Sequence, residues 1–425
     1  MKSLLLPVFL AAFLDASAAD WPAYRGPTHD GIASEKILFQ KWNATGPAQV
    51  WKTPTTNGFS SFAVAGGRAF TLVQRSVEGV NAEVCIALDA QTGRELWAAN
   101  LGYAKYQGGG DSGTRDNSGG DGPRSTPCAD GNLVYALDTR LVLTCLNAAT
   151  GREVWKHDIV AEFAGKNIGW GSAASPLVEG ELVFVAGGGP GQSLLAFNKK
   201  NGSVMWKAGD EKMTHATPIA ATILGTRQIV FFTQSGLVSV LPQTGQPLWK
   251  YAFPYNTSTA ASPVVSNDIV YCSAGYGVGA GACRIAKSGT AFTATEIWRK
   301  PNDLINHWST PVVKDGFLYG MFSFKKYGEG PLKCVEIATG TEKWSQPGFG
   351  AGQVILVGNQ VLALSDKGEI VLIETTPAAY RETARAKVVG GKCWSTPAFS
   401  NGRAYVRSTT EGACVQLAPA ATAAR

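Results

Sequence analysis

Charge is scarce in this chain: Asp, Glu, Lys and Arg make up 16% of its 425 residues, as 32 acidic and 38 basic side chains. The basic residues are spread along the sequence rather than gathered in a run or an arm, which excludes the electrostatic footprint of a nucleic-acid-binding protein. With 50 Gly, about one residue in eight, a helical bundle or coiled coil is excluded. Histidine is rare, with four residues, and no Cys precedes Cys85. Beyond the N-terminus no segment reaches about 18 uninterrupted apolar residues, so no membrane-spanning helix is expected. The 45% hydrophobic content excludes a disordered chain and is compatible with one large β domain.

The first residues read as a secretory leader. Lys2 is followed by an apolar core from Leu4 to Leu14 and by the small residues Ala16-Ser17-Ala18-Ala19. A mature chain starting near Asp20 is expected to be exported, periplasmic or extracellular, without a transmembrane segment. With no Cys at the junction, no lipid anchor is expected either.

What is abundant is repetition. Leu88-Asp89-Ala90-Gln91-Thr92-Gly93-Arg94-Glu95-Leu96-Trp97 returns as Leu146-Asn147-Ala148-Ala149-Thr150-Gly151-Arg152-Glu153-Val154-Trp155, and looser copies end at Trp206, Trp249, Trp298 and Trp344. A second marker lies upstream of each: Ser125-Thr126-Pro127, Ala174-Ser175-Pro176, Ala216-Thr217-Pro218, Ala261-Ser262-Pro263, Ser309-Thr310-Pro311 and Ser395-Thr396-Pro397. Degenerate copies at Ser60-Ser61-Phe62 and Ala351-Gly352-Gln353 complete eight units of roughly 42 to 65 residues, near the size of a four-stranded propeller blade.

Each unit parses into four short strands. In the second they are Cys128 to Ala129, Leu133 to Leu137, Val142 to Leu146 and Glu153 to Lys156. The Thr-Gly turn supplies the positive φ of a tight hairpin, and the following Trp is placed to fill the wedge between blades. The eighth unit, Pro397 to Ala418, lacks a fourth strand, whereas Gln49-Val50-Trp51-Lys52 is a fourth strand without a blade. The N-terminal strand is therefore expected to complete the last blade and close the ring, removing exposed sheet edges. The seventh unit is weakest, with Ala386-Lys387-Val388 where a Trp is expected. The expected fold is all-β, an eight-bladed β-propeller over 48–419, preceded by a leader (1–19) and an N-terminal extension (20–47) and followed by a short tail (420–425). Trp51, Trp97, Trp155, Trp206, Trp249, Trp298 and Trp344 are its structural tryptophans.

The Ala/Leu-x-Asp-x-x-Thr-Gly-x-x-x-Trp pattern resembles the tryptophan motif of the pyrroloquinoline quinone (PQQ) repeat. That repeat occurs in quinoprotein alcohol dehydrogenases and in the propeller subunit of the outer-membrane assembly machinery. The opening Asp20-Trp21-Pro22-Ala23-Tyr24-Arg25-Gly26-Pro27 is similar to the start of secreted PQQ-like propeller proteins, some labelled polyvinyl-alcohol dehydrogenase-like. The resemblance covers nearly all of the mature chain. It implies the fold and leaves open the choice between enzyme and scaffold.

Strand order puts the connector before each marker and the loop between the second and third strands on one face. The residue three before each marker Pro, Phe59, Arg124, Ala173, His215, Ala260, Trp308, Gly350 or Trp394, then rings the channel mouth. Candidate ligand-binding residues are Arg124, Trp170, His215, Asn306, His307, Trp308 and Trp394, a set suited to a flat or ring-shaped ligand carrying an acidic group. Three readings stay open: an aromatic plug that binds nothing, a small-molecule site, and a protein-docking surface. Asp111, Asp116, Asn117 and Asp121 in the Gly-rich segment 108–122 could supply oxygen ligands to calcium, but they lack EF-hand spacing. Gly187–Gly191 and Gly275–Gly281 join strand to strand with no helix behind them, so neither is a phosphate loop.

The eight Cys invite disulfides in an oxidising compartment, with Cys272 and Cys283 as the best candidate pair. Cys145, Cys283 and Cys334 are read as one equivalent third-strand position that needs a small residue. The enzyme reading that the resemblance implies is a PQQ-dependent, calcium-assisted alcohol dehydrogenase, with Arg124 and calcium holding the quinone and an Asp as general base. The family's calcium ligands and catalytic Asp have no residue-by-residue counterpart here, and its vicinal Cys pair is missing. The favoured reading is an exported binding or scaffold propeller whose partner is a small molecule, a polysaccharide or an envelope protein. No cofactor, metal ligand or catalytic residue is assigned.

Overall fold

Alternating short strands and positive-φ turns fold, in this computed structural model, into eight antiparallel sheets arranged as a propeller. Residues 19–39, 41–42, 45–104, 122–255, 259–322 and 328–419 are described. The expected leader, apart from Ala19, and the tail lie outside them, as do Asp111, Asp116, Asn117 and Asp121. The second blade is Cys128–Asp130, Leu133–Leu137, Val142–Asn147 and Glu153–Asp158, within two residues of the parse from sequence. In the eighth, Ala398–Ser400, Arg403–Arg407 and Glu411–Gln416 are completed by Gln49–Pro54, with Trp51 opposite Cys414. The N-terminal strand thus closes the ring. First strands of neighbouring blades touch one another and line the axis.

The repeat motif is explained at the blade seams. In six of the blades the Trp donates its indole N–H across the seam to a backbone carbonyl: Trp51 to Ala90, Trp97 to Ala148, Trp155 to Lys199, Trp206 to Pro242, Trp298 to Ile337 and Trp344 to Thr376, at 2.7–3.2 Å. In five of these the glycine of the next blade's turn lies flat against the same ring. A Cβ on Gly93, Gly151, Gly202, Gly245 or Gly340 would come within 2.5–3.1 Å of it. Glycine is required there twice, for its positive φ and for the absent side chain. Trp249 departs from the rule because the fifth blade's third strand, Gly279–Ser288, runs on where the turn carbonyl would be; its N–H goes instead to Gln228 Oε1, 2.7 Å away.

Inside the blades that carry it, the Trp faces a small residue on the third strand, which in turn faces a larger side chain on the second. Ala87 lies between Phe70 and Trp97, Cys145 between Tyr135 and Trp155, and Cys334 between Tyr319 and Trp344. In the fifth blade this position is Ala282, between Tyr271 and Trp298, so Cys283 is one residue removed from the place expected of it. In the seventh blade the Trp position is held by Ala384, opposite Leu372, two residues before Ala386. All eight cysteines are free and buried. Cys272 pairs with Gly281 and Cys283 with Val270, so the two thiols sit on diagonal positions of the hairpin and no disulfide joins them.

The Ser/Thr of the second marker ties the first strands into a closed belt. Backbone N–H groups of Thr396, Ser61, Thr126, Ser175 and Ser262 donate to the hydroxyls of Ser61, Thr126, Ser175, Thr217 and Thr310 in the following blades, at 2.7–2.9 Å. Ser262 Oγ donates to Thr217 O, and Ser309 Oγ donates to Gly352 O. The seventh blade has Gly352 in place of a hydroxyl, and Gln353 substitutes: its Nε2 donates to Trp308 O at 3.0 Å and Trp394 O at 3.1 Å, spanning the sixth and eighth blades.

The N-terminal extension does more than lead into the closing strand. Trp21 bridges to Val64 in the first blade, Pro22 O accepts from Ala129 N in the second, and Ile32–Ala33 pairs in parallel with Leu356 and Val357 as a fifth strand of the seventh. Between them the buried Arg25 donates to Thr310 O, Pro311 O and Asp30 O at 2.6–3.0 Å. Residues 20–33 therefore cross the axis and stop the channel at the end away from the mouth.

Candidate functional site

The residues expected to ring the mouth do so. Of the eight positions three before the marker Pro, all but Gly350 line one cavity of about 140 Å³, together with Tyr24, Ser61, Trp170, Ser175, Thr217, Tyr276, His307 and Gln353. Such a space exceeds the roughly 10–15 Å³ that one water needs. Its floor is Tyr24, delivered by the segment that stops the channel, so the cavity is blind. Of the expected site residues, Arg124, Trp170, His215, His307, Trp308 and Trp394 come together here. Asn306 does not: it is fully buried inside the sixth blade's connector, accepting from Tyr271 Oη and donating to Met321 O.

Seven rings form a continuous arc. Phe59 stacks on Trp394 (4.9 Å, 25°), Trp394 meets Trp308 (4.7 Å), His307 stands edge-on to Trp308 (4.8 Å) and Tyr276 edge-on to His307 (5.2 Å). Trp170 faces Tyr276 almost in parallel, at 6.5 Å and 14°, and His215 lies 6.5 Å beyond. One half, Phe59, Trp394 and Trp308, is packed on itself around Ala351. That half plugs. The other half is looser, and its two outermost rings share an unusual backbone.

Trp170 and Tyr276 are both non-glycine residues at positive φ, 68° and 56°, and both are flanked by glycine on either side. A bulky residue in that region is strained and persists only where its surroundings enforce it. Around Trp170 they do. Ser172 N and Asn167 Nδ2 both donate to Thr139 O (2.9 and 2.8 Å), Gly171 N donates to Ile168 O, and Arg124 Nη1 donates to Trp170 O at 2.7 Å. Tyr276 sits in the turn between the fifth blade's second and third strands, closed by Val278 N donating to Gly275 O. The Gly275 backbone is pressed on His307, so close that a Cβ would be 2.5 Å from Nδ1.

The chemistry of the lining is one-sided. Among the described lining residues there is no Asp or Glu, and the cation is Arg124. A second cation backs the wall: Lys392 Nζ lies 4.7 Å from the Trp394 ring centre and 5.9 Å from that of Phe59. Burial, reinforced by the charge of Arg124, pushes the His215 imidazole down to about 3, so it is neutral at physiological pH. His215 Nδ1 and Trp394 Nε1 are buried with no hydrogen-bond partner among the described residues. Behind the seventh blade's wall burial pushes Asp366 up to about 6, although it accepts from Gly328 N and Ala351 N. Calcium needs hard oxygen ligands, and among the described residues no group of three or more His, Cys, Asp and Glu could hold a metal. With no carboxylate among the described lining residues, those residues do not fit a calcium-bound quinone with a carboxylate base.

Six lining residues escaped the sequence reading, Ser61, Ser175 and Thr217 among them as mere marker residues. Tyr276 was hidden in a glycine-rich turn, where its glycine neighbours were the signal. Gln353 stood in a degenerate marker. Tyr24 lies in a segment without strand periodicity, more than 30 residues before the first blade.

The family model described as outer membrane protein assembly factor BamB matches residues 80–322. The outer membrane protein assembly factor BamB of Shewanella oneidensis is 24% identical over 267 residues, which cover 59% of this chain and 64% of that protein. The chain thus spans less than two thirds of that relative's length. Among solved structures, BamB from Moraxella catarrhalis aligns with a TM-score of 0.59 at 16% identity, covering 87% of this chain and 97% of that one. The quinohemoprotein alcohol dehydrogenase from Comamonas testosteroni aligns with 0.64 at 14% identity, covering 96% and 82%. Structural likeness at these identities carries the fold and nothing finer.

Proposed function

The chain belongs to the family described as outer membrane protein assembly factor BamB, and from that premise we propose that it is an exported binding or scaffold propeller that engages an envelope protein through its mouth. The observation that carries this reading is the described lining of the mouth cavity: aromatic rings and neutral hydrogen-bonding groups around Arg124, with no carboxylate among them. Alcohol oxidation by a quinone enzyme calls for a base to take the hydroxyl proton; the described lining holds no carboxylate, and burial pushes the His215 imidazole down to about 3, too weak a base for that task. Recognition asks for what is present, rigid aromatic anchors around a concave centre with a cation at the rim. The leader-like residues 1–19 support export, and the name of the Shewanella relative supports an envelope setting.

Two measurements test the reading. A photo-crosslinker at Ala173 on the mouth should give adducts to a defined envelope protein, identified by mass spectrometry, and one at Thr92 in the opposite-face turn should not. Adducts from Thr92 alone would overturn it. Purified protein incubated with PQQ and calcium, then supplied with a panel of alcohols and an artificial electron acceptor, should show no quinone-dependent turnover; turnover abolished by Arg124→Ala would establish the dehydrogenase instead.

A further inference from the structure

We infer that the blind cavity behind the mouth is a binding site in its own right, for a single neutral, polyhydroxylated ring such as a sugar residue, free or at the end of a glycan. The inference goes beyond the docking reading and does not rest on it. What carries it is a set of polar groups around the cavity whose hydrogen-bonding capacity is unused among the described residues. Gln353 in the seventh blade and Trp394 in the eighth both line the cavity and are 3% and 8% exposed. Gln353 Oε1 and Trp394 Nε1 are nevertheless without a partner there. Buried polar atoms are rarely left in that state, because an unmade bond costs more than a made one returns.

The sense of each group follows from its neighbours. Gln353 Nε2 donates to Trp308 O and Trp394 O, so the Oε1 left over is an acceptor. On the far side of the ring, burial keeps the His215 imidazole neutral and its hydrogen is turned toward Gly169 O, which leaves the other nitrogen as a second acceptor. Donors stand between them. Trp394 offers its indole N–H, and the belt hydroxyls of Ser61, Ser175 and Thr217 each accept a backbone N–H while keeping a hydrogen of their own. An anion would have no hydrogen for the two acceptors, and a cation would have no lone pair for the donors. A hydroxyl gives and takes at once, and a ring that carries several can meet groups on opposite blades together. Its C–H faces suit the aromatic part of the lining. The space of about 140 Å³ is closed at Tyr24 and falls short of the roughly 300–1,000 Å³ of a drug-sized pocket. It therefore takes one ring, or the last ring of a glycan, and no chain threaded through.

Calorimetric titration of the full-length protein tests this, with glucose, galactose, mannose, N-acetylglucosamine and myo-inositol at up to about 20 mM. Cyclohexanol, a ring with one hydroxyl, and the charged analogues glucosamine and glucuronate serve as comparisons, and a glycan array reads terminal residues in parallel. At least one neutral polyhydroxylated ring should bind, about tenfold tighter than cyclohexanol or either charged analogue. Signal on the array with the free sugars silent would place the ring at the end of a glycan. Trp394→Phe keeps an aromatic ring and removes the N–H, and should weaken binding about tenfold. Ala173→Trp fills the cavity from the third blade and should abolish it, while Gln91→Ala on the opposite face should change nothing. Because His215 stays neutral, affinity should be level between about pH 5 and pH 8. Thermal melts of each variant separate loss of binding from loss of fold. No binding of any neutral ring in either format overturns the inference. So does cyclohexanol or a charged analogue binding as tightly as the best polyol, or affinity untouched in folded Trp394→Phe and Ala173→Trp. Each of these results would leave the crosslinking test of docking standing.

Discussion

The seam contact between a turn glycine and the preceding blade's Trp can be tested inside one blade. Gly151 and Gly131 both belong to the second blade, both lie in turns on the face opposite the mouth, and both have positive φ, 70° and 56°. A Cβ at Gly151 would lie 2.6 Å from Trp97 Cε3 and 2.8 Å from Cδ2, whereas at Gly131 nothing stands within 4 Å. Alanine at either position costs about 1–2 kcal/mol for the left-handed backbone. At Gly151 the indole must also move, stretching its 3.0 Å bond to Ala148 O, and overpacking of this kind adds about 1–3 kcal/mol. Urea unfolding followed by tryptophan fluorescence and far-ultraviolet circular dichroism should therefore show Gly151→Ala less stable than Gly131→Ala by about 1–3 kcal/mol. Asparagine, which tolerates the left-handed region, sharpens the comparison: near neutral at 131, still costly at 151. Equal losses at the two positions would refute the seam argument and reduce the glycine's role to backbone conformation.

Other expectations follow from the same structure. Deleting residues 48–53 removes the strand that closes the eighth blade and should produce aggregation on size-exclusion chromatography or a melting point far below wild type; wild-type melting would refute closure by the N-terminus. Arg25→Ala should release the segment across the axis, read as new proteolytic cleavage within residues 20–33 while the blades stay resistant. His29 and His215, pushed down by burial to about 4 and about 3, bind protons in the unfolded chain before they do in the folded one. Their contribution is complete above about pH 6.5 and is lost as pH falls, each about 2 kcal/mol by pH 5; His215→Gln should flatten that acid limb. Finally, a thiol reagent should find no reactive cysteine in the native protein and all eight after unfolding without reductant.

The blades were legible in the sequence because each contact that defines them is repeated. Thr-Gly, Trp and Ser-Thr-Pro recur since the same ring, turn and hydroxyl meet at most of the seams. Ring closure was legible for a related reason, as a blade short of a strand and a strand short of a blade. What could not be read are contacts made once. Arg25 bonds carbonyls 285 and 286 residues away, and Tyr24 lines a cavity with residues from Phe59 to Trp394; no periodicity announces either. Asn306 was expected at the mouth because it adjoins His307 and Trp308, yet its amide is engaged inside the blade by Tyr271 Oη and Met321 O. Cys283 was displaced by a single residue because the long hairpin of the fifth blade shifts the register that the other blades share.

The belt of marker hydroxyls also limits how this molecule can respond. Every seam is fastened near the axis, by hydroxyl or by Gln353, so the bore behaves as a hoop: widening it at one blade would strain the bonds at all the others. A partner arriving at the mouth cannot be accommodated by splaying blades apart. Adaptation falls to the loops above the hoop, whereas the segment bearing Tyr24 is nailed beneath it. The molecule is thus a rigid socket with an adjustable rim, and variation in what it accepts should come from changes to the rim far sooner than from changes to the ring.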